Sequence, residues 1–178
     1  MLCGIDEAGR GPVAGPLSVA GVVLKNPIEG LNDSKKLSEK KREKLYKEII
    51  ENSYYHIVFT DAKTLDELGL SLCLKNSIEE IMKKVNASEY LMDGNTSFGI
   101  DDLKHEIKAD ANYEEVSAAS ILAKVSRDRY MVEISEKYPN YKFEKHKGYG
   151  TKLHIDLIKE FGRCEEHRYS FKTKGIDY

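Results

Sequence analysis

The chain has 178 residues, 40% hydrophobic and 33% charged, with a net charge of −2. That balance fits one soluble globular domain with a sizeable core and excludes a disordered chain. It gives no global basic field for nucleic acid, so any phosphate binding must come from a local basic face.

Leu2–Ile5 is a short apolar run ending at Asp6-Glu7. A Gly/Pro-rich turn, Gly9 to Pro16, follows, and Leu17–Leu24 reads as a second buried strand. Two strands joined by a compact loop predict an antiparallel pair. Pro12–Leu24 is the longest mostly apolar stretch, too short to span a bilayer and with no basic region before it. No membrane segment or secretory signal is expected.

Ser38 can cap a helix running to about Ile50, with Leu45 and Ile49 on one face. Its Lys40, Lys41, Arg42, Lys44 and Lys47 read as a solvated face. Tyr54–Thr60 is aromatic and β-branched, hence a strand. Thr64-Leu65-Asp66-Glu67 has the pattern of a capping box. It predicts one long helix with the stripe Leu70, Leu74, Ile78, Ile81, Val85, weakened by Gly69. Tyr90–Met92 reads as a short strand ending at Asp93-Gly94, and His105–Lys108 as another. Glu114 to about Lys137 reads as a helix stopped by Pro139. Thr151 caps a last helix, Leu153–Phe161, ended by Gly162. Strands first, then strands alternating with helices, imply an α/β domain with a mixed sheet, residues 1–137, and a C-terminal helical appendage, 138–178.

Cys3, Cys73 and Cys164 are odd in number and form no CxxC pair. That excludes a full disulfide framework and the usual zinc spacing, and suits a reducing cytoplasm. His146, His154 and His167 show no metal-ligand spacing and are expected to be ordinary core or surface residues.

Acidic residues stand at predicted strand ends: Asp6 and Glu7 after the first, Asp93 after a later one, Asp110 after a third apolar-leaning stretch. Ligands of open α/β sheets bind at such ends. Two unit charges ~4 Å apart repel by about 4 kcal/mol at an effective dielectric of 20, so converging carboxylates need protons or cations. Hard oxygen ligands favour Mg2+ or Mn2+ over zinc. The competing reading is that each acid is a turn or cap residue, as Asp93-Gly94 alone would suggest. The loop after the acids, Gly9-Arg10-Gly11, can bring backbone N–H groups and a guanidinium to a phosphate. It is no dinucleotide fingerprint: the third glycine falls one residue late, and a strand follows.

Gly4-Ile5-Asp6-Glu7-Ala8-Gly9-Arg10-Gly11-Pro12-Val13-Ala14-Gly15-Pro16 resembles the opening motif of the ribonuclease HII family. Asp33-Ser34-Lys35-Lys36-Leu37, Asp93-Gly94-Asn95, Lys108-Ala109-Asp110 and the helix Ala118 to Asp128 are similar to further motifs of that family, in the same order. His146-Lys147-Gly148-Tyr149-Gly150-Thr151 and His167-Arg168-Tyr169-Ser170-Phe171 complete the set, so the resemblance covers nearly the whole chain.

The resemblance implies a ribonuclease-H-like mixed five-stranded sheet flanked by helices, with a small C-terminal helical extension that helps bind substrate. It implies a hydrolase that cuts the RNA strand of RNA–DNA hybrids and incises duplex DNA 5′ of embedded ribonucleotides, leaving 3′-hydroxyl and 5′-phosphate ends. Ribonucleotide excision repair and DNA replication are the settings this implies. By motif, Asp6, Glu7, Asp93 and Asp110 would hold two Mg2+ or Mn2+ ions, with Asp128 the alternative fourth acid. Asp128 can equally pair with Lys124 or Arg127. Gly9, Arg10 and Gly11 would sense the ribose 2′-hydroxyl, and Tyr149 would stack under the sugar; an ordinary loop tyrosine packing on the core is the competing view. Lys35 and Lys36, with Ser120 and Lys124 on the signature helix, are expected to contact substrate, as is the cluster Lys142, Lys145, His146 and Lys147. A monomer is expected, without the clamp-binding C-terminal peptide of some archaeal relatives. Another metal nuclease of this fold, or a non-catalytic nucleic-acid-binding module, would share many of these features; the four acids at the motif positions speak against the second.

Overall fold

The computed structural model describes residues 1–31 and 36–178. The chain builds β1 (Leu2–Ala8), β2 (Leu17–Leu24), α1 (Glu39–Asn52) and β3 (Ser53–Thr60). It continues through α2 (Ala62–Leu68), α3 (Leu70–Lys84), β4 (Glu89–Asp93) and β5 (Leu103–Glu106). Helices α4 (Ala109–Asn112), α5 (Glu114–Lys137), α6 (Phe143–His146) and α7 (Lys152–Phe161) complete it, with a 3-10 turn at Pro139–Tyr141.

The five strands form one mixed sheet in the order β3-β2-β1-β4-β5. β1 runs antiparallel to β2 and parallel to β4, and β5 is parallel to β4. The alternation of β1 splits the core. Cys3 and Ile5 pack with Leu74, Ile78 and Ile81 of α3 on one face. On the other, Ala20 and Val22 of β2 pack with Leu45 and Ile49 of α1 and with Ala118, Ile121, Leu122 and Val125 of α5.

α5 comes unusually close to β1. A Cβ on Gly4 would sit 2.3 Å from the backbone of Glu115 and Val116, where no flexible side chain can yield. Gly4→Ala is therefore expected to lower the urea midpoint, by about 1–3 kcal/mol of stability. An unchanged midpoint would refute so tight a contact.

Ser38 and Thr151 cap α1 and α7 as their sequence positions predict. The single long helix expected from Thr64 is instead two. Asp61 is the cap, its side chain accepting from the Thr64 amide, and the chain breaks at Gly69 with φ 85°. The strand expected at His105–Lys108 lies earlier, at Leu103–Glu106, and Lys108 takes a left-handed conformation that opens α4 instead of continuing the strand. No described helix is long and apolar enough to cross a membrane.

Candidate active site

β1 carries Asp6 and Glu7 to the end of the sheet. Its parallel register with β4 pairs Ile5 with Met92, so Asp6 and Asp93 stand one rung further on, side by side. The side chain of Asp93 accepts the Ala109 amide at 2.8 Å. That bond fixes the first turn of α4 and brings the next residue, the buried Asp110, to the same strand ends. Asp110 thus arrives on a one-turn helix, not at the end of a strand.

Asp6 is 7% exposed. Burial, then the charge of Glu7, then that of Asp93, hold its carboxyl well above the ordinary carboxylate range. Glu7 directs Oε1 to Arg10 at 3.4 Å, while its Oε2 is buried with no hydrogen-bond partner among the described residues. Crowded like charges and a partnerless buried carboxylate oxygen are the conditions a hard cation relieves. As placed, no three His, Cys, Asp or Glu side chains among the described residues close round one point.

Glu7 and the loop after it line a hollow of about 340 Å3 with Gly9, Arg10, Gly11, Ser120, Lys124, Arg127, Asp128 and Tyr149. Asp128 lies 3.4 Å from Lys124 on the same helix face. Lys36 lies elsewhere, beside a second hollow with Glu29, Lys41 and Lys44. Lys35 falls outside the described residues.

The loop owes its shape to two arginines whose role the sequence reading missed. Arg168, wholly buried, donates to the carbonyls of Gly15, Arg10, Pro12 and Gly9. Arg127 donates to those of Pro16, Lys147 and Ala14. Burial, then the nearby Arg127, pull Arg168 down to about 9. The carbonyls of Gly9, Arg10, Pro12, Ala14, Gly15 and Pro16 are thereby drawn onto the two buried guanidinium groups. One signal did exist. Arg127 lies four residues from Ala123 and from Met131, both buried, so it is a charge on an apolar stripe.

The tyrosine lies above this clamp. Tyr149 is 44% exposed, and its ring centroid is 5.6 Å from the Arg127 guanidinium carbon. Val13 and Ala14 donate to the Gly148 carbonyl, tying the tyrosine loop to the glycine loop. His146 does not share the exposed setting expected for it beside Lys142, Lys145 and Lys147. It is buried, its Nε2 on the Tyr141 carbonyl and its Nδ1 accepting from the Gly148 amide.

Residues 3–174 match the family model of ribonuclease HII. This chain belongs to the ribonuclease HII family. A ribonuclease HII of Aliarcobacter butzleri is 67% identical over 98% of this chain and 92% of its own length. One of Sulfurovum sp. is 58% identical over 99% and 94%. Among solved structures, a ribonuclease HII from Archaeoglobus fulgidus, in complex with PCNA, is 30% identical, covers 98% of this chain and 96% of its own, and superposes with a TM-score of 0.85. The chain is thus a ribonuclease H, an endonuclease for the RNA strand of RNA–DNA hybrids, with the mixed five-stranded fold of its family.

Proposed function

We propose that this ribonuclease HII also incises duplex DNA 5′ of single embedded ribonucleotides, using two Mg2+ or Mn2+ ions held by Asp6, Glu7, Asp93 and Asp110. The observation that carries the reading is the crowding of Asp6, Glu7 and Asp93 at the end of β1 and β4, with Glu7 lining the same hollow as the arginine-clamped loop. Bound there, such ions polarise the phosphate and supply a nucleophilic water at neutral pH.

The chain's own groups do the rest. Asp6 and Asp93, carried on adjacent strands, would hold those ions and so set where along the sheet the phosphate is cut. Gly9, Arg10 and Gly11 present amides to the ribose 2′-hydroxyl, a group that both donates and accepts and therefore marks RNA. Tyr149 takes the face of the same sugar. Ser120, Lys124, Lys35 and Lys36 hold backbone phosphates without reading sequence. Residues 138–178 act as an extension of the core formed by 1–137, contributing Tyr149. We place the enzyme in the cytoplasm as a monomer, in keeping with its free cysteines.

The test is a DNA duplex with one ribonucleotide. Mg2+ or Mn2+ should give a nick 5′ of the ribose with 3′-hydroxyl and 5′-phosphate ends. EDTA should stop it, and all-DNA duplex should stay whole. Equal cutting of all-DNA duplex, or cutting in EDTA, would overturn the proposal.

A further inference from the structure

Beneath the tyrosine loop lies a histidine pair that the proposed reaction does not use. His154 of α7 and His167 of the C-terminal loop are 0% and 1% exposed, and their Nε2 atoms are 2.9 Å apart. The ring of His146 stacks on His154 at 3.9 Å. Their other partners determine every proton. The Cys164 amide donates to Nδ1 of His167 at 3.0 Å, and an amide can only donate, so that nitrogen carries the lone pair. The Tyr149 carbonyl lies 2.9 Å from Nδ1 of His154, and a carbonyl can only accept, so that nitrogen carries hydrogen.

One proton remains for the nitrogens that face each other. His167 supplies it from Nε2, and His154 receives it. The result is a one-way chain of neutral rings: Cys164 N–H to His167, His167 to His154, His154 to the Tyr149 carbonyl. No other tautomer satisfies both ends, and a further proton on either ring would set two donors against each other. Burial, reinforced for each by a neighbouring histidine, pulls His154 down to about 4 and His167 to about 3, which keeps both neutral.

We propose that His154 and His167 are positioning residues for ribose recognition: their relay anchors the backbone of Tyr149 and so sets where its ring meets the sugar. The proposal rests on Tyr149 being the sugar-stacking residue. Among the described residues, Tyr149 has one further backbone anchor of each kind, its amide on the His146 carbonyl and its carbonyl on the Thr151 amide. Its ring lies over Arg127, which also clamps the glycine loop, so a slip of this backbone changes the gap between the two groups that grip one nucleotide.

Two measurements on the whole enzyme test it. Nitrogen-15 NMR of the histidine rings should show His154 as the Nδ1–H tautomer, His167 as Nε2–H, and a scalar coupling between the two facing nitrogens. A charged ring at neutral pH, or His154 as Nε2–H, would overturn the relay without any variant. Kinetics per folded molecule on the single-ribonucleotide duplex give the second. H154L should lose kcat by about tenfold to a hundredfold with little change in KM. H154N, whose amide can still donate to the Tyr149 carbonyl, should recover most of it. In a Y149A background H154L should add no further loss. Full kcat in H154L, equal defects in H154N and H154L, or an additive loss in Y149A would each overturn the proposal. If Y149A alone matches the wild type, the stacking role of Tyr149 fails and the proposal with it; a Y149A defect with an additive H154L loss removes the relay's role alone.

Discussion

Asp6→Asn should lower turnover at least on the order of a thousandfold while leaving the fold intact, and it should abolish the stabilisation that Mg2+ gives the wild type. The amide keeps the shape of the carboxylate and an oxygen for the Glu7 backbone N–H, now bonded at 2.8 Å. What it removes is charge, at the place where charge costs most. Burial, Glu7 and Asp93 all oppose ionisation of Asp6. Without metal the variant should therefore melt no lower than the wild type, because a buried repulsion has gone. With metal the order should reverse, since an ion bound only by the folded state stabilises in proportion to its occupancy. Nicking assays and melting curves with and without Mg2+ give both answers. Retained turnover, or an equal Mg2+-induced rise in both proteins, would remove Asp6 from the site.

Two deeply buried elements were legible from sequence because apolar residues crowd them. β2 is buried at seven of eight positions and α5 at eleven, so apolar runs marked both. Asp6, Glu7 and Asp93 were legible as strand-end residues, but the placement of these acids and of Asp110 on α4 relative to one another was not. It depends on the parallel register of β1 with β4 and on the Ala109 amide reaching Asp93, long-range facts with no local signature. The long helix failed at Gly69, where a backbone turn outweighed the continuous stripe on either side. The histidines were read one at a time, as ordinary core or surface residues, with His146 also grouped with lysines expected to contact substrate. Individually they are core residues; their bonding to one another joins α6, α7 and the C-terminal loop, and no spacing in the chain foretells it. Arg168 escaped for the same reason, since its partners lie more than 150 residues away.

The same cluster should make the enzyme unusually sensitive to mild acid. An unfolded histidine binds its proton near pH 6.5. In the folded chain His154 is pulled down to about 4 and His167 to about 3, and burial lowers His146 as well. Few charges among the described residues can compensate: Arg163 repels a proton on His167, Lys147 one on His146, and Glu144 attracts one there. Tyr141, Phe143 and the Cys164 thiol, itself raised by burial, offer no negative charge. Between pH 6.5 and 4 the unfolded chain thus takes up protons that the folded chain refuses, so folding weakens as pH falls. The stability tied to these rings is complete above about pH 6.5 and drains away toward pH 4. Each tenfold loss of proton affinity on folding is worth about 1.4 kcal/mol, so the pair accounts for on the order of several kcal/mol, a large part of what a domain of this size holds. Asp6 and Glu166, both held above their usual values, act in the opposite sense over this window, so the informative quantity is a difference in slope. Urea midpoints measured from pH 7 to pH 4 should fall steeply for the wild type and far less for H154L/H167L, which starts lower. Parallel slopes would mean that the rings accept protons in place, and that the neutral relay under Tyr149 does not exist.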